Sequence, residues 1–305
     1  MEPLFSIVIA NYNFGRFLED AIQSVIAQGL GEQVELIICD AASTDNSVDV
    51  IKKYANGLPP NTAIDDWLSS RKSTDPKFVM SQPRLITWWC AEPDKGQSSA
   101  FNKGFSHARG RFLTWLNADD ILMHGALKSV AHEIERYPGC EWFIGSSLYV
   151  DARLMVTRCF CAHRFSFLRA KWGFLSVGGP SSFFTKRLLD AVGGVDESLH
   201  YVMDTDLWYK FYLQCGVKYR RTFHNIFAYR QHEASKMSGA DEHTTERALI
   251  NRQRAKKESE MLAQRYGRRG GLSYKLAHLL SLSLFDHIVA WWRNLSWRGS
   301  YAKEL

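Results

Sequence analysis

The sequence predicts an α/β fold with a mostly parallel central sheet flanked by helices. Over the first 120 residues, short continuous apolar runs alternate with segments whose apolar residues recur at helical spacing. Polar residues follow directly after these apolar runs, as Asp40 does after Val34–Cys39. Ligands of such sheets bind at the carboxyl ends of the strands, so we expect a site along that edge.

The elements of this first part follow one another with little intervening chain. Strands are predicted at Phe5–Ala10, Val34–Cys39, Leu85–Trp89 and Phe112–Leu116, and helices at Phe17–Ile26, Asn46–Tyr54, Ser98–His107 and near Ile121–Tyr137. The segment Gly57–Pro83 contains three of the eight prolines and little periodicity, which is typical of an insertion. It includes one short predicted helix near Ile64–Ser69.

The second part of the chain has a different pattern and no internal repeat. Trp142–Arg158 has the character of a β-hairpin, and Gly178–Pro180 is a predicted loop. A short strand is predicted at Ser182–Phe184, and helices at Leu188–Val192 and Asp204–Cys215.

Composition and charge narrow the function classes. Of the 305 residues, 46% are hydrophobic and 23% charged, which excludes a disordered, collagenous or coiled-coil chain. The formal charge is +6, yet residues 252–305 alone contain 11 Lys or Arg against 4 Asp or Glu. The body is therefore close to neutral, and we expect no nucleic-acid partner.

The cysteines and the chain start indicate the compartment. The six cysteines include no CxxC pair, and Cys159 and Cys161, on one face of a possible strand, lack a second thiol pair for a zinc site. The first residues lack the pattern of a signal peptide, and no apolar stretch is long enough to span a bilayer. We expect a cytoplasmic protein.

Carboxylates stand where the second strand ends. Asp40 lies directly at that end, where a charge is costly unless it faces a polar group, such as the N–H of a nucleobase or a ribose hydroxyl. Asp45 flanks the same polar turn. It or Asn46 could equally cap the next helix.

A second cluster follows the fourth strand. Asn117, Asp119 and Asp120 suit an oxygen-ligated cation such as Mg²⁺ or Mn²⁺. The alternative is a helix cap, for which one aspartate would suffice. Elsewhere Glu92–Gln97 is by itself an ordinary charged turn, Asp204 could be a helix cap, and His232 in its loop could be structural.

Together these segments resemble family 2 glycosyltransferases with the GT-A fold. The resemblance covers roughly residues 4–238 and rests on five segments in family order, which are SIVIANYNFGRFLEDAIQSVIAQ, VELIICDAASTDNSVDVIKKY, WWCAEPDKGQSSAFNKGFSHARGRFLTWLNADD, AVGGVDESLHYVMDTDLWYKF and YRQHEASKM. It implies a nucleotide-sugar-binding half at 1–120 and an acceptor half at 121–240, with Gly178–Ser182 near the acceptor.

The resemblance also implies roles for single residues. Those expected to bind the nucleotide or donor are Ala10, Asn11, Tyr12, Asp40, Asp45, Asp94, Gln97, Asn117 and Asp120. Within this set Asp40 would bind the base, Asp94 the ribose or donor sugar, and Asp120 would support the metal site or contact the sugar. Asp119 would bind the metal, and His232 matches a histidine that approaches the metal or diphosphate in some members.

Asn117 departs from the family pattern, and Asp204 matches it. Asn117 replaces the first aspartate of the family's Asp-x-Asp motif, although its carbonyl oxygen could still act as a ligand. Asp204 matches the catalytic aspartate, with Met203 where glutamate often stands.

The expected function is a metal-dependent, inverting transfer from a nucleotide-diphosphate sugar, by default a UDP-sugar. The cofactor would be Mn²⁺ or Mg²⁺, and the acceptor a hydroxyl of a glycan or lipid-linked saccharide in polysaccharide biosynthesis. One alternative is a sugar nucleotidyltransferase, but its Gly-rich phosphate loop is replaced after the first strand by Asn11–Gly15. The other is a non-catalytic nucleotide-sugar-binding module, which would not need Asp204.

Residues 241–305 form a predicted helical, basic and aromatic extension. Glu246–Tyr266 is expected to be a helical connector, and Leu272–Trp297 is apolar and aromatic. Its Trp291, Trp292 and Trp297 alternate with Arg293 and Arg298, as in a helix lying on an anionic membrane surface. Alternatively, this face packs on the catalytic domain or on another subunit of a homo-oligomer.

Overall fold

The structure, a computed structural model, describes residues 2–70, 85–166, 177–235, 246–267 and 284–304. Its strands are β1 (Phe5–Asn11), β2 (Val34–Asp40), β3 (Ile86–Ala91), β4 (Phe112–Asn117), β5 (Ile121–Leu122), β6 (Trp142–Val150), β7 (Val156–Phe160), β8 (Ser182–Thr185) and β9 (Arg220–Arg230). Its helices are α1 (Gly15–Ile26), α2 (Ser47–Tyr54), α3 (Ile64–Ser69), α4 (Gln97–His107), α5 (Ala126–Arg136), α6 (Lys186–Ala191), α7 (Met203–Leu213), α8 (Glu246–Arg265) and α9 (Leu284–Trp297).

One mixed sheet carries all of these strands in the order β3-β2-β1-β4-β8-β6-β9-β5, with β7 paired to β6. The first four strands are parallel neighbours, as their continuous apolar runs predict. Within β1 and β2 nearly every side chain is buried, because helices cover both faces of this part of the sheet. The predicted α/β class and the four strands are confirmed.

Most predicted elements of the second part are also confirmed. The hairpin is β6 with β7, and the short strand and helix near residue 185 are β8 and α6. The short helix of the insertion is α3, whereas residues 71–83 of that segment lie outside the described residues. Residues 272–283 of the predicted apolar tail segment also lie outside them.

The helix predicted near Ile121–Tyr137 is wrong at its start. Ile121 and Leu122 form β5, which pairs antiparallel with Ala228 and Phe227 of β9. The helix begins only at Ala126, after Gly125 has taken a left-handed backbone conformation. The sheet thus takes two apolar residues that local periodicity assigned to a helix, because their partner strand lies about 100 residues away.

Two apolar cores fill the two faces of the sheet. One joins the sheet to α1, α2, α3 and α5, and the other joins it to α4, α6 and α7. Leu262 of α8 is fully buried in the second core, so this C-terminal helix packs on the same body. A third, smaller core lies between β7 and α9.

One face of helix α9, in the apolar tail, packs on the rest of the protein. Val289, Ala290 and Trp297 pack against the third core, and Asn294 exchanges hydrogen bonds with the backbone of Cys159 in β7. The opposite face of the same helix is exposed. Within the described residues no helix combines the length and the apolar character that crossing a membrane requires.

Candidate active site

An open cavity of about 1320 Å³ lies at the carboxyl ends of β1, β3 and β4. It extends across the sheet to the start of α7, so both halves of the sheet contribute to it. Eight of the residues selected from the sequence line it: Ala10, Asn11, Tyr12, Asp94, Gln97, Asn117, Asp119 and Asp204. Asp40, Asp45, Asp120 and His232 do not.

Asp40 lies just behind the cavity wall. Its carboxylate accepts hydrogen bonds from the amide nitrogen of Asn11 at 2.6 Å and from the backbone N–H of Ser43 at 2.8 Å, and the residue is 1% exposed. The other amide atom of Asn11, Oδ1, is buried and has no hydrogen-bond partner among the described residues. Buried acceptors are nearly always satisfied, and this oxygen belongs to a residue that lines the cavity.

Asp45 does not line the cavity, and its contact with the nucleotide stays a prediction. One carboxylate oxygen accepts from the backbone N–H of Gly15 at the start of α1, at 2.8 Å. The other accepts from the backbone N–H of Ser47 at the start of α2, at 2.9 Å. Asp45 therefore satisfies free N–H groups at two helix starts, which is the alternative that the sequence left open.

Asp94 reaches the cavity from the turn after β3. Gly96 adopts a positive φ of 115° and returns its N–H to the Asp94 carboxylate at 2.7 Å, which fixes the turn. Partial burial raises the pKa of Asp94 above its ordinary value, although the hydrogen bond from Gly96 acts in the opposite direction. This carboxylate is half-buried in the cavity wall, where a ribose or sugar hydroxyl could donate to it.

A chain of amide hydrogen bonds runs from the cavity into the sheet. Gln97 donates to the Asn117 carbonyl oxygen at 2.8 Å, and the Asn117 amide nitrogen donates to Asp120 at 2.7 Å. The carbonyl oxygen that could have served as a metal ligand is thus engaged by Gln97.

Asp120 has no exposed surface, and its second oxygen accepts from the backbone N–H of Arg230 at 3.0 Å. Burial, reinforced by the neighbouring Asp119 carboxylate, raises the pKa of Asp120 well above its ordinary value. Of the two roles predicted for Asp120, these contacts favour support of the metal site, because Asp120 holds Asn117 and the end of β9 in place. Contact of Asp120 with the donor stays a prediction.

Asp119 lines the cavity and is paired with His232. The carboxylate oxygen and the Nε2 atom of His232 lie 3.1 Å apart, and the histidine side chain is only 4% exposed. Phe17 packs against the imidazole with ring centroids 4.4 Å apart, which holds the ring in place. The structure thus brings together the two residues that the sequence assigned to a metal site.

The described residues contain no cluster of three or more His, Cys, Asp or Glu side chains that could enclose a metal ion. Asp119 and His232 offer one oxygen and one nitrogen. This pair fits a divalent cation that also takes oxygens from a bound diphosphate, since Mg²⁺ in particular is usually held by one or two carboxylates and substrate phosphates.

Asp204 lies at the first turn of α7 and lines the same cavity as the carboxyl ends of β1 and β4. Its Oδ1 atom accepts from the backbone N–H of Thr205 at 2.6 Å. The carboxylate is half-buried, and it faces the same space as Asp94 and Asp119. The expected acid–base residue and the expected donor-binding residues therefore share one cavity.

Aromatic residues on β4, β6 and β9 form a wall that the sequence did not predict. Tyr149 and Tyr229 are partners in the parallel pairing of β6 with β9, and their ring centroids lie 5.4 Å apart. Burial raises the pKa of both hydroxyls, so both remain neutral phenols at neutral pH. Trp115 extends this wall and packs against Gly179 of the predicted acceptor loop.

Nothing local in the sequence could have identified this wall, because β9 was not predicted as a strand. The same holds for Asn251 of α8, which lines the cavity and accepts a hydrogen bond from the Tyr201 hydroxyl at 2.7 Å. It lies in a highly charged helix with no motif.

Comparison with known proteins finds similar glycosyltransferases. The profile described as Glycosyl transferase family 2 matches residues 6–65 and 82–150. An uncharacterized glycosyltransferase from Nostoc sp. is 35% identical over 116 residues, which are 38% of this chain and 28% of that protein. The Escherichia coli enzyme WfaP, a UDP-Glc:alpha-D-GlcNAc-diphosphoundecaprenol beta-1,3-glucosyltransferase, is 24% identical over 76% of this chain and 79% of its own length.

Solved structures share the fold across nearly the whole chain. Staphylococcus aureus TarS 1–349 in complex with UDP-GlcNAc has a TM-score of 0.56 at 17% identity, covering 93% of this chain and 77% of that one. The mannosyltransferase PcManGT from Pyrobaculum calidifontis, solved with GDP-Man and Mn²⁺, has a TM-score of 0.52 at 14% identity over 97% and 88%. Residues 6–65 and 82–150 therefore carry the pattern of glycosyl transferase family 2, and the chain as a whole has the GT-A fold of these solved glycosyltransferases.

Proposed function

We propose that this protein is a glycosyltransferase that inverts the anomeric centre of a UDP-sugar while transferring the sugar to a hydroxyl of a saccharide acceptor. The observation that carries the proposal is the placement of Asp204, on α7, in the same cavity as Asp94 and Asp119, which follow β3 and β4. With a volume of about 1320 Å³, the cavity is large enough for a donor and an acceptor together.

Each of these residues has a separate role in a single displacement reaction. Asp94 and the orphan oxygen of Asn11 orient the donor through its hydroxyl and N–H groups. Asp204 takes the proton of the acceptor hydroxyl as its oxygen bonds to the anomeric carbon. The bond from that carbon to the diphosphate breaks, and the nucleoside diphosphate leaves with the electron pair. One displacement inverts the configuration, so an α-linked donor gives a β-linked product.

Asp119 and His232 are proposed to hold a divalent cation, Mn²⁺ or Mg²⁺, together with the donor diphosphate. A cation bound there would stabilise negative charge on the leaving diphosphate. The supporting observations are the 3.1 Å pair and the packing that orients the imidazole. The PcManGT structure in complex with Mn²⁺ is consistent with this assignment.

The relatives guide the proposed substrates. WfaP is named for a UDP-glucose donor and an acceptor carried on diphosphoundecaprenol, and TarS was solved with UDP-GlcNAc. We propose a UDP-sugar donor and a glycan or lipid-linked saccharide acceptor, in the biosynthesis of a surface polysaccharide. A thermal-shift screen of nucleotide sugars, with and without Mn²⁺, tests base, sugar and metal together, since a ligand that binds the folded state raises its melting temperature.

The role of Asp204 has a direct test. We expect Asp204→Asn to lower the transfer rate by roughly 10²–10⁴-fold, because general-base help has about this magnitude. Affinity for the nucleotide sugar, measured by calorimetry, should stay close to that of the wild type. Near-normal transfer by a folded Asp204→Asn variant would exclude Asp204 as the base.

The exposed face of α9 is proposed to contact an anionic membrane surface that carries the acceptor. Trp291 is 66% exposed, Trp292 56% and Leu295 63%, and the basic side chains of Arg158 and Arg298 lie beside them. Substituting the three apolar residues with serine should abolish co-sedimentation with vesicles containing phosphatidylglycerol. Leu249→Ser on α8, where the leucine is 50% exposed, is the control. Undiminished binding by the triple variant would refute the assignment.

A further inference from the structure

Helix α8 holds the chain immediately before the helix that carries Asp204. The carboxylate of Glu258 in α8 accepts backbone N–H groups from three consecutive residues: His200 at 3.1 Å, Tyr201 at 2.8 Å and Val202 at 3.3 Å. Val202 is the cap position of α7, and no side chain in the part of the chain that the structure describes caps α7 there in the ordinary way. Glu258 therefore supplies an acceptor that the local sequence lacks.

The same helix holds α7 at a second point beyond Asp204. Asp206 has no exposed surface, and it accepts from Arg265 at 2.7 Å and from the Tyr266 hydroxyl at 2.6 Å. Lys210, one turn further along α7, lies 3.0 Å from the other carboxylate oxygen of Asp206. Tyr266 also stacks on Tyr209 with ring centroids 4.9 Å apart.

Asp204 lies between these two contacts, two residues from Val202 and two from Asp206. A shift or rotation of the first turn of α7 would carry its carboxylate away from the acceptor side of the cavity. Because Glu258 contacts backbone N–H groups, it holds the turn in position whichever side chains the turn carries. Because α8 also lines the cavity through Asn251, it is well placed to link acceptor binding to the base.

We propose that Glu258 is a positioning residue, which fixes the start of α7 so that Asp204 faces the acceptor hydroxyl. The inference rests on the proposed role of Asp204 as the base. It gives helix α8 a role in the reaction, although the match to the family profile ends at residue 150.

The test is a double-mutant cycle on the full chain. We expect Glu258→Ala to lower kcat about 10- to 100-fold, as a sub-ångström to ångström displacement of a catalytic group does, with less than a twofold change in KM for the nucleotide sugar. Glu258→Gln, which keeps one oxygen acceptor and the shape, should restore much of the rate. Glu260→Ala is the control, since Glu260 lies on the same helix, its side chain is 64% exposed, and it forms a long ion pair of 3.9 Å with Lys256.

The decisive arm repeats Glu258→Ala in the Asp204→Asn background. If Glu258 acts through Asp204, the second substitution should change the remaining rate by less than twofold, because the group it positions is already gone. Multiplicative losses in the double variant, or a wild-type kcat for Glu258→Ala, would overturn the inference. Melting temperatures identify a variant that is simply unfolded, in which case Glu258→Asp, whose carboxylate is one methylene shorter and is withdrawn from the backbone N–H groups, replaces it in the cycle.

Failure of the inference and failure of the proposed function give different results. If Asp204→Asn alone retains transfer, the base assignment fails whatever Glu258 does. If Asp204→Asn abolishes transfer and Glu258→Ala leaves kcat unchanged, only the positioning role fails.

Discussion

Asp119 and Asp120 are neighbours in the chain but have different surroundings. Asp119 lines the cavity and faces His232, whereas Asp120 has no exposed surface and is bonded to Asn117 and to the backbone of Arg230. The sequence marks the pair as a place for a cation, yet it does not reveal which of two adjacent side chains points outward. That depends on the turn after β4 and on β9, which arrives from about 110 residues further along the chain.

Asp45 and Asp94 provide a matched pair of predictions at the same scale. Asp45→Ala should lower the free energy of unfolding by about 1 kcal/mol, the usual value of a lost helix cap, and leave KM for the donor unchanged. Asp94→Ala should instead raise KM for the donor about tenfold. A hydrogen bond to a charged group contributes about 1.4 kcal/mol or more, and about 1.4 kcal/mol corresponds to a tenfold change in affinity. Denaturant unfolding and steady-state kinetics measure both. A raised KM for Asp45→Ala would instead support its predicted role in nucleotide binding.

The stability difference at Asp45 also depends on pH. Burial raises the pKa of this carboxyl, but the hydrogen bonds donated by Ser47 and Gly15 outweigh burial, so the pKa lies below its ordinary value. A group whose pKa is lowered on folding stabilises the protein above the pKa of the unfolded chain and loses this effect as the pH falls through the folded value. The wild type and Asp45→Ala should therefore converge in stability as the medium becomes acidic, and a constant difference down to acid unfolding would contradict this.

Among the elements, the parallel strands were the most predictable from sequence. Runs such as Phe5–Ala10 are apolar on both faces, and no other soluble structure of that length buries them as well. The two-residue strand β5 and the long strand β9 were missed, because each is defined by a partner distant in sequence. Consequently Tyr149 and Tyr229 of the cavity wall could not be identified either, whereas the residues at the ends of β1, β3 and β4 could.

Glu35 of β2 is a buried carboxylate that joins several strands, and no sequence pattern predicted this role. It lies at the end of the sheet opposite the cavity and is 1% exposed. Its carboxylate accepts from the Ser6 and Thr87 hydroxyls and from the backbone N–H groups of Arg109 and Gly110. It thereby joins β1, β2, β3 and the chain entering β4.

Replacing Glu35 by alanine should destabilise the protein without affecting the site. Several buried donors would lose their acceptor, at about 1–3 kcal/mol for each that stays unsatisfied, so we expect a loss of roughly 3 kcal/mol in denaturant unfolding. Asp65→Ala is the control, because Asp65 contacts the same Arg109 but is 70% exposed, and its loss should cost less than about 1 kcal/mol. Similar stability losses in the two variants would show that burial of Glu35 is not the cause.

At the scale of the whole molecule, α9 has two faces with different tasks. Its inner face and the residues that follow it complete the third core. Val156 donates its backbone N–H to Ser300 at 2.8 Å, Ala302 donates to Leu154 at 2.9 Å, and Lys303 reaches Asp20 at 2.9 Å. The segment after α9 therefore ties β7 to α1, while the outer face carries the exposed tryptophans proposed to meet the membrane.

Removing residues 284–305 and altering the outer face should consequently have different effects. Deletion would expose Leu154 and Val156, each worth about 1.5–3 kcal/mol when buried, and should lower the melting temperature by roughly 6 °C or more. Serine at positions 291, 292 and 295 changes only exposed side chains and should leave the melting temperature and the transfer to a water-soluble acceptor unchanged. Calorimetry and kinetics measure both. If the deletion left stability unchanged, the third core would not depend on α9. Deletion is therefore a poor test of membrane binding, because it alters the fold and the surface together.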